Sequence, residues 1–450
     1  MRRVALFITL FFLSALILAV MPVPALIQAQ DELPYNLISG KPYDGTTLTF
    51  LLCCPDTPQF IAWQEYAAEF TELTGITINF QIEPWNALQE RIVVESVAMP
   101  GSYDVAIWLD SWGPTFQHTL LPLNDYIERD GIDYIDDYPP VFMSTVTFDN
   151  NIIGLPVRAH AFILYYRQDV FDQLGLEVPT TWSELLEAGR AVVQHPELEM
   201  AGIGNYYGVS STQNLFVWAL MLWGAGGDFF DESLHPIFNN EAGVTATELY
   251  TSLAEIGTHS QFIDDEWGGS TAFVRGRAAM YMSWWWYMGR FQNPAAAAEN
   301  VLGNVAVANV PAMDGADPVG FALTMPIGIS AASRNQDAAW EWLKFLSSPE
   351  IARRIVVEKD DQATVSVVTP LISVMLDPEV IEANNGLQAT AVPSLLSARV
   401  MPLIPEWAEV SSILEVAINE IARGADTRET LNKAAADVEA VMQRAGYYND

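Results

Sequence analysis

The chain of 450 residues has few cysteines, few basic residues and a single long hydrophobic run. Its two cysteines, Cys53 and Cys54, are adjacent, so no framework of spaced disulfides holds the fold together. Two buried thiols are expected there, and a strained vicinal disulfide is the alternative. Only 21 Lys and Arg residues stand against 56 Asp and Glu residues, and repulsion from phosphates therefore excludes nucleic acid as a partner. With 50% hydrophobic residues, the chain is predicted to be globular.

The sequence also lacks the short motifs of common hydrolases, metalloenzymes and nucleotide-binding proteins. It has no His-Glu-x-x-His, no Gly-x-Ser-x-Gly and no phosphate-binding glycine–lysine loop. The glycines of "GIGNYYG" (202–208) have the wrong spacing for a dinucleotide-binding turn, and the histidines are scattered without metal-ligand spacing. We therefore expect no metal, no cofactor and no catalysis.

The single long hydrophobic run lies at the N-terminus. Arg2 and Arg3 precede an uncharged run over residues 4–27, and the small residue Ala29 follows it. This layout predicts a secretory signal peptide over residues 1–29, and hence export to the periplasm or surface of a bacterium. An uncleaved membrane anchor is the alternative, because about 20 apolar residues suffice to span a bilayer.

The first part of the remaining chain alternates between strand and helix patterns. Apolar or alternating runs predict strands over 47–53, 76–82 and 103–108, and helical spacing predicts helices from Pro58 and over 88–99. Strand–helix–strand order predicts parallel pairing in an α/β fold. Because single cores stop growing at roughly 250–300 residues, two lobes are expected.

Other segments complete the predicted elements. Residues 154–167 form an extended stretch that is too long for an ordinary strand, and Thr181 begins a capping box before a helix over 185–193. Residues 215–227 indicate a buried helix that ends in glycines. The tail from Glu406 indicates two amphipathic helices, with Thr427 predicted to cap the second.

Four segments, in order, resemble one known family. They are "GLPVRAHAFILYYRQDVFDQLGLEVPTTWSELLEAGRAV" (154–192), "AFVRGRAAMYMSWWW" (272–286), "AAWEWLKFLSSPE" (338–350) and "IPEWAEVSSILEVAINEIARG" (404–424). Their order and spacing, over nearly the whole mature chain, are similar to those of family 1 extracellular solute-binding proteins. These are the maltose-binding-protein-like sugar receptors of ATP-binding-cassette (ABC) importers.

The resemblance implies a two-lobed, type II periplasmic-binding-protein-like α/β fold. The ligand cleft lies between the lobes, and segments that cross between them form a hinge, the first near residues 157–159. The expected division is a signal peptide over 1–29, lobe 1 over 30–157 and 325–372, and lobe 2 over 158–324 and 373–450.

The resemblance further implies ligand contacts from lobe 1 and from the first crossing. Asp110 offers acceptor oxygens to hydroxyl groups, and Trp112 offers a flat face to a sugar ring. Arg158 and His160 alternate on one extended segment and so share a face, where Arg158 offers a rigid fork of donors. The alternatives are a loop cap for Asp110, core packing for Trp112, a hinge salt bridge for Arg158 and a satisfied core histidine for His160.

Further candidates come from lobe 2 and from the segments that return to the hinge. The amides of Gln213 and Asn214 suit hydroxyl groups, although both can instead cap the helix that follows. These two residues depart from the acid and tyrosine that maltose-binding protein carries in this region, which leaves the identity of the sugar open. Gly320, Phe321 and Trp407 are weaker candidates, with core or hinge roles as the alternative.

Three consecutive tryptophans in "MSWWWYMGRF" (282–291) cannot all point the same way, since successive side chains diverge by about 100° on a helix and 180° on a strand. By resemblance, Trp286 is the stacking tryptophan that faces the ligand. Trp285 is expected in the core of the second lobe, and Trp284 in either place.

The predicted function is capture of a mono- or oligosaccharide and its delivery to the transmembrane permease subunits of an ABC importer. A monomer is expected. One alternative keeps the fold but binds a polyamine or a phosphorylated polyol. Another is a secreted glycoside hydrolase, which needs two cleft carboxylates about 5–10 Å apart. Only Asp110 is an evident cleft carboxylate in the sequence.

Overall fold

The computed structural model describes residues 33–98, 100–209, 213–358 and 367–448, so the predicted signal peptide lies outside the described residues. The strands are β1 (Thr47–Cys53), β2 (Thr77–Glu83), β3 (Val105–Ile107), β4 (Thr147–Phe148), β5 (Asn151–Ile152), β6 (Leu155–Arg167), β7 (Ala201–Ile203), β8 (Ala278–Trp284), β9 (Val305–Ala308) and β10 (Ala322–Ile329).

The larger helices of the described part alternate with these strands. They are α1 (Pro58–Thr74), α2 (Trp85–Ala98), α3 (Gly113–Phe116), α4 (Asn124–Asp130), α5 (Pro140–Ser144), α6 (Gln168–Leu174), α7 (Trp182–Gln194), α8 (Leu215–Gly224), α9 (Glu241–Ser252), α10 (Glu266–Val274), α11 (Met288–Phe291), α12 (Gln336–Ser347), α13 (Pro349–Val357), α14 (Ile372–Met375), α15 (Pro378–Ala383), α16 (Leu387–Leu396), α17 (Trp407–Ala422) and α18 (Thr427–Ala445). Among these described helices, none combines the length and the apolar character that a membrane span requires.

The first three strands pair in parallel, as the strand–helix alternation predicts. β1 pairs along its whole length with β2 and, through Phe50 and Leu51, with β3. The first helix, α1, ends at Gly75, whose φ of 77° lies in the left-handed region that glycine adopts at little cost. The predicted α/β arrangement of this part is confirmed.

Strand β6 joins the two halves of the molecule. Its first residues pair antiparallel with β10, which also pairs with β3, and its last residues pair antiparallel with β8 and β9. The parallel pair β7 and β8 completes the order β2-β1-β3-β10-β6-β8-β7. The long extended segment is therefore one strand that belongs to both halves of the sheet.

The ladder between β6 and β10 contains a bulge. Met325 pairs with Arg158 and the next residue, Pro326, pairs with Pro156, so Val157 has no partner in the ladder. Its carbonyl oxygen instead accepts a hydrogen bond of 2.8 Å from the Gln59 side-chain amide at the start of α1. A side chain of one lobe thus replaces the ladder bond that the bulge removes.

The buried residues form two large clusters, one for each lobe. Val157 and Met325 pack in the first, and Ala159 and Ala322 in the second, so β6 and β10 pass between the cores side by side. Near residues 368–380 the chain contributes side chains to both cores in turn. Val368 packs with the second core and Val374 and Val380 with the first, whereas the predicted boundary places each of them in the other lobe.

The caps predicted for α7 and α18 have different outcomes. Thr181 and Glu184 form the predicted capping box at the start of α7. At α18 the predicted cap, Thr427, is wrong, because the Asp426 side chain accepts the Glu429 N–H and Thr427 is the first helical residue. A carboxylate is a charged acceptor and also interacts favourably with the helix dipole, so it is the stronger cap of the two neighbours.

Candidate functional site

A cavity of about 850 Å³ lies between the two cores. One wall consists of the turns that follow β1 and β3 and the start of α2. The opposite wall comes from α8, the start of α10 and the segment after β8, and residues of β6 and β10 lie between the walls. The carboxyl ends of parallel strands thus open onto the cavity, where ligands of α/β proteins usually bind.

Asp110 lies in a single 3₁₀ turn after β3 and lines the cavity. Its two carboxylate oxygens accept hydrogen bonds of 2.7 Å from the backbone N–H groups of Ser111 and Thr324. Burial raises the pKa of Asp110 to about 7, although both N–H groups favour the ionised form. This side chain is therefore tied to the backbone of its own turn and to that of β10, and it also lines the cavity.

Arg158 and His160 line the cavity from β6, on one face as their alternation predicts. The Arg158 guanidinium donates a 2.8 Å hydrogen bond to the Gln59 side-chain oxygen and lies over the Phe60 ring at 5.7 Å. Within the described part of the chain it makes no ion pair with a carboxylate, so the suggested hinge salt bridge is absent there. The His160 Nδ1 atom is buried without a hydrogen-bond partner among those residues.

Burial changes the protonation of this pair. Desolvation lowers the pKa of His160 well below its usual value, and the Arg158 cation lowers it further. Desolvation also lowers the pKa of Arg158 to about 10, which still leaves it charged at neutral pH. The floor of the cavity therefore presents one cation with unused donors beside a neutral imidazole.

The three tryptophans lie at the end of β8 and in the turn after it, and they point in different directions. Trp285 is fully buried in the second core, as predicted, and its indole N–H donates to the Ala159 carbonyl at 3.1 Å. Trp286 is partly exposed, lines the cavity and stacks on Tyr287 at 4.0 Å. Trp284 also lines the cavity but packs edge-on against Phe162, with ring centroids 4.4 Å apart. The indole faces of Trp284 and Trp286 thus contribute to the second-lobe wall.

Two exposed tryptophans lie on the cavity from opposite lobes. Trp85, the first residue of α2, is 41% exposed, and Trp267 of α10 is 48% exposed. Trp112, predicted to contact the ligand, does not line the cavity but packs behind Trp85 with ring centroids 4.7 Å apart. Trp85 is therefore the aromatic side chain that the first lobe presents to the cavity at this point.

Glu266 brings a second buried carboxyl group to the second-lobe wall. Its Oε2 atom has no hydrogen-bond partner among the described residues. Burial, followed by the charge of Asp265, raises the pKa of Glu266 to about 7, and nearby Tyr287 and Trp284 offset this rise only in part. Near neutral pH this carboxyl group is present in both its protonated and its ionised form.

The remaining predicted residues divide into two groups. Gln213, Phe321 and Trp407 line the cavity, and the Gln213 side-chain oxygen accepts the Glu266 N–H at 3.2 Å. Asn214 does not line it, because its amide donates to the Tyr207 and Glu415 carbonyls inside the second core. Gly320 does not line it either.

Gly320 has a packing reason for being glycine. A Cβ atom at this position would clash with the carbonyl oxygen of Ser394. The residue therefore allows α16 to approach the backbone that leads into β10.

Several lining residues were not predicted from the sequence. They are Cys54, Asp56, Phe60, Trp85, Phe216, Asp265, Glu266, Trp267, Arg290, Met325 and Met401. Asp56, Asp265 and Glu266 join Asp110, so four carboxyl groups line the cavity instead of the one expected. The turn after β1 could have revealed Asp56, since it follows a parallel strand just as Asp110 does. The others depend on contacts that bring distant helices together.

A larger cavity of about 1200 Å³ lies along the outer side of α10 and shares Trp267 with the one between the cores. Only residues of the second lobe line this larger cavity. The cavity between the cores is lined by both lobes, and its lining includes four exposed or partly buried aromatic rings. It also contains the unpartnered atoms of His160 and Glu266. The cavity between the cores is therefore the stronger candidate for a ligand site. Across the described ranges, no group of three or more His, Cys, Asp or Glu side chains is arranged to hold a metal ion.

Comparison with solved structures shows the two-lobed solute-binding fold. A solute-binding protein of an ABC transporter from Agrobacterium radiobacter K84, solved with ribitol, is 25% identical with a TM-score of 0.72, and the match covers 89% of this chain and 100% of that one. The cyclic alpha-maltosyl-1,6-maltose binding protein of Arthrobacter globiformis is 20% identical with a TM-score of 0.75, covering 89% and 99%. The predicted fold class is confirmed.

Sequence comparison identifies the family. A probable amino-acid ABC transporter periplasmic-binding protein of Sinorhizobium fredii is 25% identical over 401 residues, which are 86% of this chain and 88% of that protein. The diacetylchitobiose binding protein of Streptomyces coelicolor is 22% identical over 381 residues, covering 82% and 83%. The family model for bacterial extracellular solute-binding protein matches residues 55–353, well over half of the chain. The chain therefore belongs to the bacterial extracellular solute-binding proteins.

Proposed function

We propose that this protein is the receptor of an ABC importer and that it closes its two lobes on a sugar or a polyol. The observation that carries this proposal is the cavity of about 850 Å³ between the cores, whose walls combine indole faces with polar groups that lack partners. Delivery to transmembrane permease subunits follows from membership of the family. A monomer is the expected state, and light scattering after size-exclusion chromatography checks it.

The chemistry of the cavity suits a hydroxyl-rich ligand. The C–H bonds of a sugar or polyol carry slight positive charge and pack well on the negative faces of Trp85 and Trp286. The unused donors of Arg158, the free Nδ1 of His160 and the amide of Gln213 can bond to hydroxyl groups, which both donate and accept.

Relatives of known ligand support the same class. One solved neighbour was crystallised with ribitol and another, from Agrobacterium vitis S4, with D-mannitol. The Agrobacterium vitis protein is 23% identical to this chain with a TM-score of 0.71, so its fold alone is comparable. These ligands, together with maltose and diacetylchitobiose, define the first compounds to test.

A cationic ligand such as a polyamine is the second candidate. The four carboxyl groups of the cavity outnumber its two guanidinium groups, Arg158 and Arg290. Two of the four, Asp110 and Glu266, have pKa values raised to about 7 and are only partly charged at neutral pH. The excess of negative over positive charge at neutral pH is therefore small, which gives a polycation little advantage over a neutral ligand.

Calorimetry of the mature protein against a panel of compounds tests the proposal. The panel contains ribitol, D-mannitol, maltose, diacetylchitobiose, spermidine and a phosphorylated polyol. We expect a neutral sugar or polyol to bind and Trp286→Ala to weaken that binding, with Trp285→Phe as the control that keeps the core filled. Binding of spermidine alone would replace the sugar by a cationic ligand, and binding of the phosphorylated compound alone would replace it by an anionic one.

We further propose that the bound ligand is released unchanged. The family and the fold are those of binding proteins. Both oxygens of Asp110 accept backbone N–H groups, which gives this carboxyl group a structural role at the cavity. Chromatography of an oligosaccharide after long incubation should show no product. Hydrolysis that is abolished by Asp110→Asn or by Glu266→Gln would make the protein a glycoside hydrolase.

A further inference from the structure

Two adjacent cysteines lie where the central strand of the first lobe reaches the ligand cavity. Cys53 is the last residue of β1 and is fully buried, whereas Cys54 is partly exposed and lines the cavity. Adjacent side chains of a strand point to opposite faces, which would keep the two thiols apart. Cys54, however, has a φ of 56°, a left-handed conformation that is uncommon outside glycine. The turn brings the two thiols into hydrogen-bonding contact.

The surroundings favour reaction at Cys54. A hydrogen bond from the Cys53 thiol lowers the pKa of Cys54, and the Arg158 cation lowers it further. Arg158 is buried, faces the cavity and makes no ion pair within the described part of the chain, so a Cys54 thiolate would be a favourable counter-charge for it. The thiolate is the nucleophilic form of cysteine.

We propose that Cys53 and Cys54 form a reversible vicinal disulfide that controls the affinity of the cavity for its ligand. The Cys54 thiolate attacks one sulfur of a small disulfide such as oxidised glutathione, and one small thiol leaves. Cys53 then loses its proton and attacks the sulfur of Cys54, which releases the second small thiol. The protein gives up two protons and two electrons, and the small disulfide is reduced to two thiols. The control of affinity rests on the proposed ligand binding, whereas the disulfide chemistry does not.

Geometry makes this bond a switch and not a structural cross-link. Consecutive Cα atoms are about 3.8 Å apart, below the roughly 4.4–6.8 Å that ordinary disulfides span. A disulfide between neighbours is therefore strained, and strained disulfides are the easily reduced ones. Small disulfides and other oxidants occur in the compartments to which solute-binding proteins are exported.

The bond would change the wall of the cavity directly. The segment from Cys54 to Pro58 and the ring of Phe60 form the first-lobe side next to Arg158. Closing an eight-membered ring at Cys54 moves its sulfur towards Cys53 and shifts the turn that carries Asp56. It also removes the ionisable Cys54 thiol next to Arg158, so both the shape of the cavity and the charge that it can carry change.

Thiol counting and mass spectrometry test the chemistry. The reduced protein is incubated with excess oxidised glutathione and then separated from it. We expect the number of free thiols to fall from two to none, the mass to fall by two hydrogens, and dithiothreitol to reverse both changes. Cys53→Ser is the matched control, and it should retain one glutathione on Cys54. Glutathione retained by the wild type, a disulfide-linked dimer, or two persisting thiols would each refute the vicinal disulfide.

Tryptophan fluorescence and ligand binding test the control of affinity. Oxidation should change the emission of the wild type, because Trp85, Trp284 and Trp286 line the same cavity, but not that of the Cys53→Ser/Cys54→Ser double variant, which has no thiol to react. Oxidised wild type should bind ribitol, D-mannitol or maltose about tenfold more weakly than the reduced form, within the usual range of coupling between sites. Equal affinities of the oxidised and reduced forms would refute the control of affinity by the disulfide. If none of the three compounds binds, unchanged emission on oxidation would refute it instead. In either case the thiol count still decides whether the disulfide forms. Failure of the whole ligand panel would instead refute the proposed function.

Discussion

Replacing Trp285 or Trp286 by alanine should separate stability from binding, although the two residues are neighbours. Trp285 is fully buried and donates to the Ala159 carbonyl, so Trp285→Ala removes a core aromatic that is worth about 3–5 kcal/mol. The lost hydrogen bond adds about 1 kcal/mol. At roughly 2–4 °C per kcal/mol for a domain of 150–250 residues, the Tm should fall by roughly 8–24 °C.

Trp286→Ala should have the opposite profile. Its ring is partly exposed and stacks on Tyr287 at the cavity wall, so its removal costs the core little. An aromatic anchor of a binding site commonly contributes about 2 kcal/mol or more, which predicts a loss of affinity of at least tenfold. The Tm should stay within a few degrees of the wild type.

Differential scanning calorimetry and ligand titration, both on the same preparations, measure the two effects. The ligand is the compound that the panel identifies, and Trp285→Phe and Trp286→Phe control for loss of an aromatic ring as distinct from loss of the indole. If Trp286→Ala binds normally and melts early, the assignment of the two directions is wrong. If both alanine variants bind normally, stacking on this run makes no contribution to binding.

Four further outcomes are expected. Trp85→Ala should weaken ligand binding at least tenfold and Trp112→Ala much less, and calorimetry showing the reverse order would place the ligand behind Trp85. Burial raises the folded pKa of Glu266 to about 7, so this group contributes stability at low pH that is lost as the pH rises through about 7. Urea denaturation should therefore show a smaller loss of stability between pH 5 and 8 in Glu266→Gln than in the wild type, and equal losses would contradict the burial argument. Small-angle scattering should show a smaller radius of gyration at saturating ligand, and an unchanged profile argues against closure. N-terminal sequencing of the exported protein should begin near Gln30, and protein that still carries Met1 would favour a membrane anchor.

The elements of the fold were predictable because their signals are local. An apolar run bounded by turn residues marks β1 over its observed range, Thr47–Cys53, and the capping box at Thr181 marks the start of α7. The choice between Asp426 and Thr427 as a cap was not predictable from the pattern alone, because both residue types cap helices and lie next to each other. Local sequence signals therefore predict where a helix lies, but they leave its first residue uncertain by one position.

Much of the predictable part of the site lies on or just after strands that reach the cavity. Asp110 and Trp286 follow such strands, whereas Arg158 and Trp284 lie on them, and all four line the cavity. Glu266 and its neighbour Trp267 begin a helix far along the chain, so only tertiary packing reveals that they lie on the same wall. Trp112 was predicted to contact the ligand because it follows β3, but it packs against Trp85 and does not line the cavity.

The bulge at Val157 has a mechanical consequence. Both β6 and β10 pass from one core to the other, and the ladder of hydrogen bonds between them holds the two crossing segments side by side. Bending at the bulge breaks none of these bonds, since Val157 takes its bond from Gln59 and not from β10. We therefore expect rotation about this point to be the low-energy relative motion of the two lobes, with little freedom to translate. The walls that carry Asp110 and Trp284 should approach each other in the same alignment at every closure, so the pattern of groups that a ligand meets is set before it binds.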